Sequence, residues 1–89
     1  MKVEFLRQFD KDLDSIEIKR ISTKLIETIE TIKNADSEYD IPNLKELKGT
    51  NDCFRIRIGD YRIGVFISNK IVQFARISHR KDIYRIFPL

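Results

Sequence analysis

The chain has 89 residues, 42% of them hydrophobic and 35% charged, with one cysteine and a formal net charge of +3. That length supplies one small domain, residues 1–89, with a modest core, and a lone cysteine excludes an internal disulfide or a cysteine-based metal centre. No apolar run is long enough for a bilayer span or a signal-peptide h-region, so a reducing cytoplasm without membrane contact is the expected setting.

Val3 to Leu6 reads as a short first strand. Phe9, Leu13 and Ile16 then recur at helical spacing, predicting a helix from about Arg7 to Asp14. Ser15 reads as the N-cap of a second helix, whose apolar stripe runs Ile18, Ile21, Leu25, Ile29 and Ile32 and is widened by Ile26. The two helices form a hairpin. Asn34 to Asn43, with its Asp, Ser and Pro42, signals a loop, and Leu44 to Gly49 a connector. Cys53 to Ile58, Tyr61 to Ile67 and Ile71 to Ile77 follow as three strands separated by tight turns. Lys81 to Ile86 is a short helix or an irregular tail. The fold class is therefore α+β: an N-terminal strand and a helical hairpin packed on a small antiparallel β-meander. Cys53 lies in an apolar strand pattern and is expected to be buried and reduced.

Charge divides the chain in two. Residues 1–46 hold eight Lys/Arg and eleven Asp/Glu, a net −3, whereas residues 47–89 hold nine and three, a net +6. Six of the eight arginines lie between residues 55 and 85, interleaved with strand-forming residues. Because strand side chains alternate, Phe54, Ile56 and Ile58 face the core while Arg55 and Arg57 share the other face, about 6.5–7 Å apart. Arg62, Gly64 and Phe66 take that face in the next strand. Strict alternation assigns Val72, Phe74, Arg76, Ser78 and Arg80 to it in the last. Arg55, Arg57, Arg62, Arg76 and Arg80 then line one concave surface, with Phe66 and Phe74 as rim packing or base-stacking rings. Asp52, Asp60 and Asp82 are too few to neutralise nine cations. A polyanion such as RNA or DNA explains this face better than stability does.

The chain closes on Ser78-His79-Arg80-Lys81-Asp82-Ile83-Tyr84. His79 is the only histidine, and a neutral imidazole there could carry a proton near neutral pH. Tyr84 offers a phenol four residues beyond Arg80.

The run Leu47-Lys48-Gly49 … Cys53-Phe54-Arg55-Ile56-Arg57-Ile58-Gly59-Asp60-Tyr61-Arg62-Ile63, with His79-Arg80-Lys81-Asp82-Ile83-Tyr84, resembles the RelE branch of the RelE/ParE toxin superfamily over nearly the whole chain. The resemblance implies the toxin of a type II toxin–antitoxin pair, with a cognate antitoxin as partner. It also implies an endoribonuclease that cuts mRNA in the ribosomal A site without a metal or other cofactor. In that chemistry the 2′-hydroxyl attacks its own phosphate and leaves a 2′,3′-cyclic phosphate. On this resemblance Arg55, Arg57, Arg62, Arg80 and Tyr84 stand at the family's functional positions; joined with the residue reading, the catalytic set is Arg57, Arg62, Arg80 and Tyr84 or His79, and Arg55, Arg57, Arg76 and Lys81 are the RNA-holding cations. Where the best-known members have lysines on the first meander strand, this chain has Arg55 and Arg57. An arginine cannot lose its proton, so Arg57 is a poor general base and Tyr84 or His79 must handle the proton. Two other readings remain. The ParE branch is similar in fold and poisons DNA gyrase, and a plain RNA-binding module would hold RNA without cutting it.

Overall fold

A computed structural model describes residues 1–88. In chain order it contains β1 (Lys2–Phe5), α1 (Arg7–Asp14), a 3-10 turn (Ile18–Arg20), α2 (Ser22–Asn34), a second 3-10 turn (Glu38–Asp40), β2 (Leu44–Glu46), β3 (Cys53–Ile58), β4 (Tyr61–Ser68), β5 (Ile71–His79) and α3 (Ile83–Ile86). The strands form one sheet in the order β1-β5-β4-β3-β2. The meander β3-β4-β5 is antiparallel. β1 joins it parallel to β5, with Val3 beside Val72. β2 extends the other edge, with Leu44 opposite Ile56.

Two expectations shift. The connector at Leu44 becomes a strand, too short for its alternation to show in the sequence. The second helix begins at Ser22 rather than at Ser15, because Ser15 is engaged in closing α1. Its hydroxyl and its amide both donate to the Asp12 carbonyl, at 2.9 and 3.1 Å, and Ile18–Arg20 then turns as 3-10 before α2 starts.

α1 and α2 pack on one face of the sheet. Phe9, Ile21, Leu25 and Ile32 from the helices close against Ile56, Ile63, Val65, Phe74 and Ile77 from the strands. The opposite face carries a smaller cluster, in which Ile83 and Phe87 cover Cys53 and Ala75. Cys53 is a buried free thiol, and burial pushes its pKa up, with a smaller push from Asp52. Among the described residues no helix is long and apolar enough to cross a membrane.

β5 breaks its own alternation. Gly64 lies opposite Arg76 but Val65 lies opposite Phe74, which leaves Ala75 without a partner. This is a β-bulge. Below it Val72 and Phe74 turn into the helix-side core, and both are 0% exposed. Phe74 therefore lies on the face opposite the arginines, packed edge-on to Phe9 with ring centroids 5.4 Å apart.

Candidate nucleic-acid interface

The site begins with the β3–β4 hairpin. Gly59 takes φ +61° in its turn, a backbone region that glycine enters without penalty. The tight turn sets Arg57 directly opposite Arg62, and Arg55 opposite Gly64. Paired residues of an antiparallel ladder share a face, so these three guanidiniums project together. Like charges placed opposite one another destabilise a sheet. No carboxylate is paired to them: among the described residues Arg55, Arg57, Arg62 and Arg80 have no acidic group within ion-pairing distance, although Asp60 and Glu27 line the groove beside Arg57, Arg62 and Arg80.

Arg62 is held most firmly. Its Nη1 donates to the carbonyls of Gly59, at 3.0 Å, and Tyr61, at 2.9 Å. One end of the fork is thus fixed to the turn. Burial lowers its pKa, and the fields of Arg55, Arg57 and Arg80 lower it further, while Tyr84 acts in the opposite sense. Arg62 is therefore where the charges converge, and an anion is the group that relieves them. Arg55 is steadied by Nη1 donating to the Asn43 carbonyl at 3.4 Å, and the same carbonyl accepts from the Arg57 amide at 3.2 Å.

The last two members come from the end of the chain. The Arg80 amide donates to the Asp60 carbonyl at 2.8 Å, which ties the segment after β5 to the hairpin turn. Tyr84 lies on α3 and is 58% exposed. α3 has four residues, too few for an isolated helix to persist. It is pinned by Ile83 and Phe87, both buried. The Phe87 ring lies over Gly64, in the space a side chain there would fill, and against Phe66 at 5.2 Å between centroids. Phe66 is packing, not a free stacking ring.

Two expected members stand elsewhere. Arg76 does share the arginine face, opposite Gly64, but Asp12 of α1 takes it. Nε and Nη2 donate to the Asp12 carboxylate at 2.8 and 3.1 Å. With side chains 19% and 11% exposed, this pair is structural, and Arg76 is neutralised. His79 points to the helix side. It lies opposite Tyr61, edge-on to that ring at 5.8 Å, and its Nδ1 accepts from the Lys81 amide at 3.3 Å. Arg62 is opposite Ser78 instead, so the thickness of the sheet separates the imidazole from the guanidiniums. Lys81 is exposed in the turn between β5 and α3.

A groove of about 630 Å³ runs from Arg57, Arg62 and Arg80 round the Gly59-Asp60 turn towards α2. Asn43 and α2 contribute to it, and sequence reasoning assigned neither. Asn43 acts through a backbone carbonyl and the α2 residues look like any solvated helix face.

A family model described as the ParE toxin of type II toxin–antitoxin systems matches residues 3–84. Toxin RelE3 of Methanocaldococcus jannaschii is 42% identical over 92 residues, covering 99% of this chain and 100% of that protein. The solved RelB–RelE antitoxin–toxin complex from Methanococcus jannaschii is similar at a TM-score of 0.80 and 34% identity, covering 96% of this chain and 99% of the matched one. The RelBE2 toxin–antitoxin complex from Mycobacterium tuberculosis is similar at a TM-score of 0.66 and 25% identity, covering 89% and 96%. The strand, helical pair and arginine-bearing meander are thus those of the RelE/ParE superfamily, and the chain belongs to it as a toxin of a type II toxin–antitoxin system.

Proposed function

We propose that this toxin is an endoribonuclease that cleaves mRNA on the ribosome, with the arginine face as its active site. One observation carries the reading: Arg57 faces Arg62 directly, with Arg55 and Arg80 beside them and no carboxylate paired to any of the four among the described residues. Fixed cations aimed at one point stabilise a phosphorane-like transition state more than its ground state.

In this mechanism Arg55, Arg57 and Arg62 grip the scissile phosphate. The 2′-hydroxyl oxygen attacks phosphorus as its proton is removed. The bond to the 5′-oxygen breaks, that oxygen takes up a proton, and the product is a 2′,3′-cyclic phosphate. Arg80 stabilises the leaving oxygen. Guanidiniums do not exchange protons at neutral pH, so the Tyr84 phenol relays the proton: its oxygen accepts the 2′-hydroxyl proton as its own O–H proton passes to water, and water supplies the proton taken up by the 5′-oxygen. His79, on the other side of the sheet, has no part in it. The relatives solved with RelB support a cognate antitoxin for this chain as well. Acidic side chains of that antitoxin would occupy the same cations.

The test is mRNA cleavage and growth arrest by Arg62→Ala and Arg80→Ala proteins, with chemical analysis of the new RNA ends. Both variants should lose activity, and the ends made by the wild type should carry cyclic phosphate. Full activity in both variants would overturn the assignment. The family model's description, the ParE toxin of type II systems, favours one other reading: membership of the ParE branch, for which the resemblance implies poisoning of DNA gyrase. Replication arrest with intact mRNA after induction would establish that reading instead.

A further inference from the structure

Arg80 reaches the arginine face from a turn, and that turn is closed from the other side of the sheet. Residues 80–82 link β5 to α3 through three consecutive amides. The Arg80 amide donates to the Asp60 carbonyl and the Asp82 amide to the His79 carbonyl, each at 2.8 Å. The Lys81 amide donates to His79 Nδ1 at 3.3 Å. The imidazole is thus the one side chain among the three acceptors. Its bond reaches an amide two residues on, the geometry with which Asn and Asp close a turn on their own backbone. The ring itself is located by Tyr61, which lies opposite it in the ladder and packs edge-on to it.

Arg80 depends on this closure more than its neighbours in the site do. Arg62 is tied to two turn carbonyls. Tyr84 is carried by α3, which Ile83 and Phe87 anchor in the core. Arg80 is exposed, with no ion-pair partner among the described residues. Its backbone therefore decides where the guanidinium can reach.

The bond to Lys81 requires an Nδ1 without a proton. An imidazolium carries N–H on both nitrogens and accepts nothing, so protonation sets two donors against each other and breaks the closure. Histidine is the side chain that makes this change near neutral pH. Charged and titratable groups line the groove around the ring from every side: Glu17 and Arg20 from the segment after α1, Lys24 from α2, Asp60 and Tyr61 from the hairpin, and Asp82 from the turn itself. Glu17 is paired with Arg20 and Asp82 with Arg85. Lys24, with Arg80 and Lys81 next to His79 in sequence, opposes a charged ring. Asp60, without an ion pair among the described residues, is the carboxylate towards which a protonated ring can turn.

We propose that His79 is the positioning residue for Arg80: its neutral ring closes the turn that aims Arg80 at the arginine face, and its protonation opens that turn and gives cleavage an acid limit. The proposal rests on the ribonuclease reading, with Arg80 at the leaving oxygen. His79 touches no RNA and exchanges no proton with it. It acts through the Lys81 amide alone.

The experiment compares mRNA cleavage on programmed ribosomes by wild type, His79→Leu, His79→Asn, Arg80→Ala and the double variant of His79→Leu with Arg80→Ala, from neutral pH into acid. A second arm follows amide hydrogen exchange at Lys81 in the free toxin over the same range. His79→Leu removes the acceptor and should lower kcat on the order of tenfold, the value of one net hydrogen bond. KM should stay unchanged, because Arg80 acts in the transition state. The same substitution should cost nothing further once Arg80 is alanine, since the two residues act as one unit. His79→Asn supplies an oxygen that accepts the Lys81 amide and does not titrate. It should restore neutral-pH cleavage and, relative to wild type, gain activity towards acid. Protection of the Lys81 amide should fall with pH in the wild type and persist in the Asn variant. Equal losses from His79→Leu with and without Arg80, or parallel pH profiles for wild type and His79→Asn, would overturn the proposal and leave the ribonuclease reading intact. If the wild type cuts no RNA, that reading falls. The exchange arm then decides alone, and Lys81 protection that is the same at every pH overturns the closure by His79.

Discussion

Asp12 reaches Arg76 across 64 positions of sequence and closes a two-pronged contact on its guanidinium, Nε to Oδ2 at 2.8 Å and Nη2 to Oδ1 at 3.1 Å. Oδ2 also accepts the Ile77 amide at 3.0 Å. β1 pairs with β5 only as far as Phe5 and Phe74, so the carboxylate serves the strand where its neighbour has ended. One aspartate thereby fixes α1, the upper half of β5 and the bulge between them.

Removing one partner of such a buried pair leaves the other charge uncompensated. Asp12→Ala should destabilise the protein by about 3–5 kcal/mol, a large share of the roughly 5–15 kcal/mol a small domain has. Replacing both residues with apolar ones of similar volume should cost much less. Urea unfolding of the two single variants and the double variant measures the difference.

The same contact gives stability a pH dependence. Burial alone would raise the Asp12 pKa, but hydrogen bonds from Arg76, the Ile77 amide and Gln8, with the Arg76 charge, outweigh it and hold the carboxyl below its ordinary 3.8. A folded value below the unfolded one means the contribution is complete above 3.8. It is lost as pH falls from there through the folded value. Urea midpoints followed from neutrality into acid should show that loss in the wild type and a shallower one in Asp12→Asn.

Arg62→Lys tests geometry apart from charge. A lysine keeps the positive charge but cannot donate to both turn carbonyls and to a phosphate with a rigid fork. Cleavage should fall on the order of 10²–10³ in Arg62→Ala and by a smaller factor in Arg62→Lys. Single-turnover cleavage rates check both.

Gly64→Ala probes Tyr84 from a distance. The new methyl would run into the Phe87 ring, which cannot yield without lifting α3. Overpacking of this kind costs about 1–3 kcal/mol, and cleavage should drop with it although no arginine is touched. Tyr84→Phe in the same assay shows how much of the drop belongs to the phenol. Equal cleavage by Gly64→Ala and the wild type would mean that the ring does not position Tyr84.

Much of this was legible in the sequence. Alternation in Phe54-Arg55-Ile56-Arg57-Ile58 and Tyr61-Arg62-Ile63 placed the three arginines of the hairpin on one face, because a tight turn leaves little freedom of register. The bounds of α1 followed from the helical spacing of Phe9, Leu13 and Ile16. What escaped depends on contacts distant in sequence. Nothing local marks Ala75 as the residue left out of the ladder, so Phe74 was assigned to the wrong face. Nothing near Arg76 announces Asp12, and that arginine looked like its neighbours. Lys24 is indistinguishable from the other charges of α2 until the hairpin turn is brought beside it.

Arg57 and Arg62, set face to face, make folding and ligand capture two readings of one equilibrium. Each repels the other in the free protein, so any anion seated between them raises the melting temperature as well as being bound. Inorganic polyphosphate should therefore protect the toxin against heat. That protection should persist in a Tyr84→Phe protein that has lost its chemistry, and so report the grip separately from the cut.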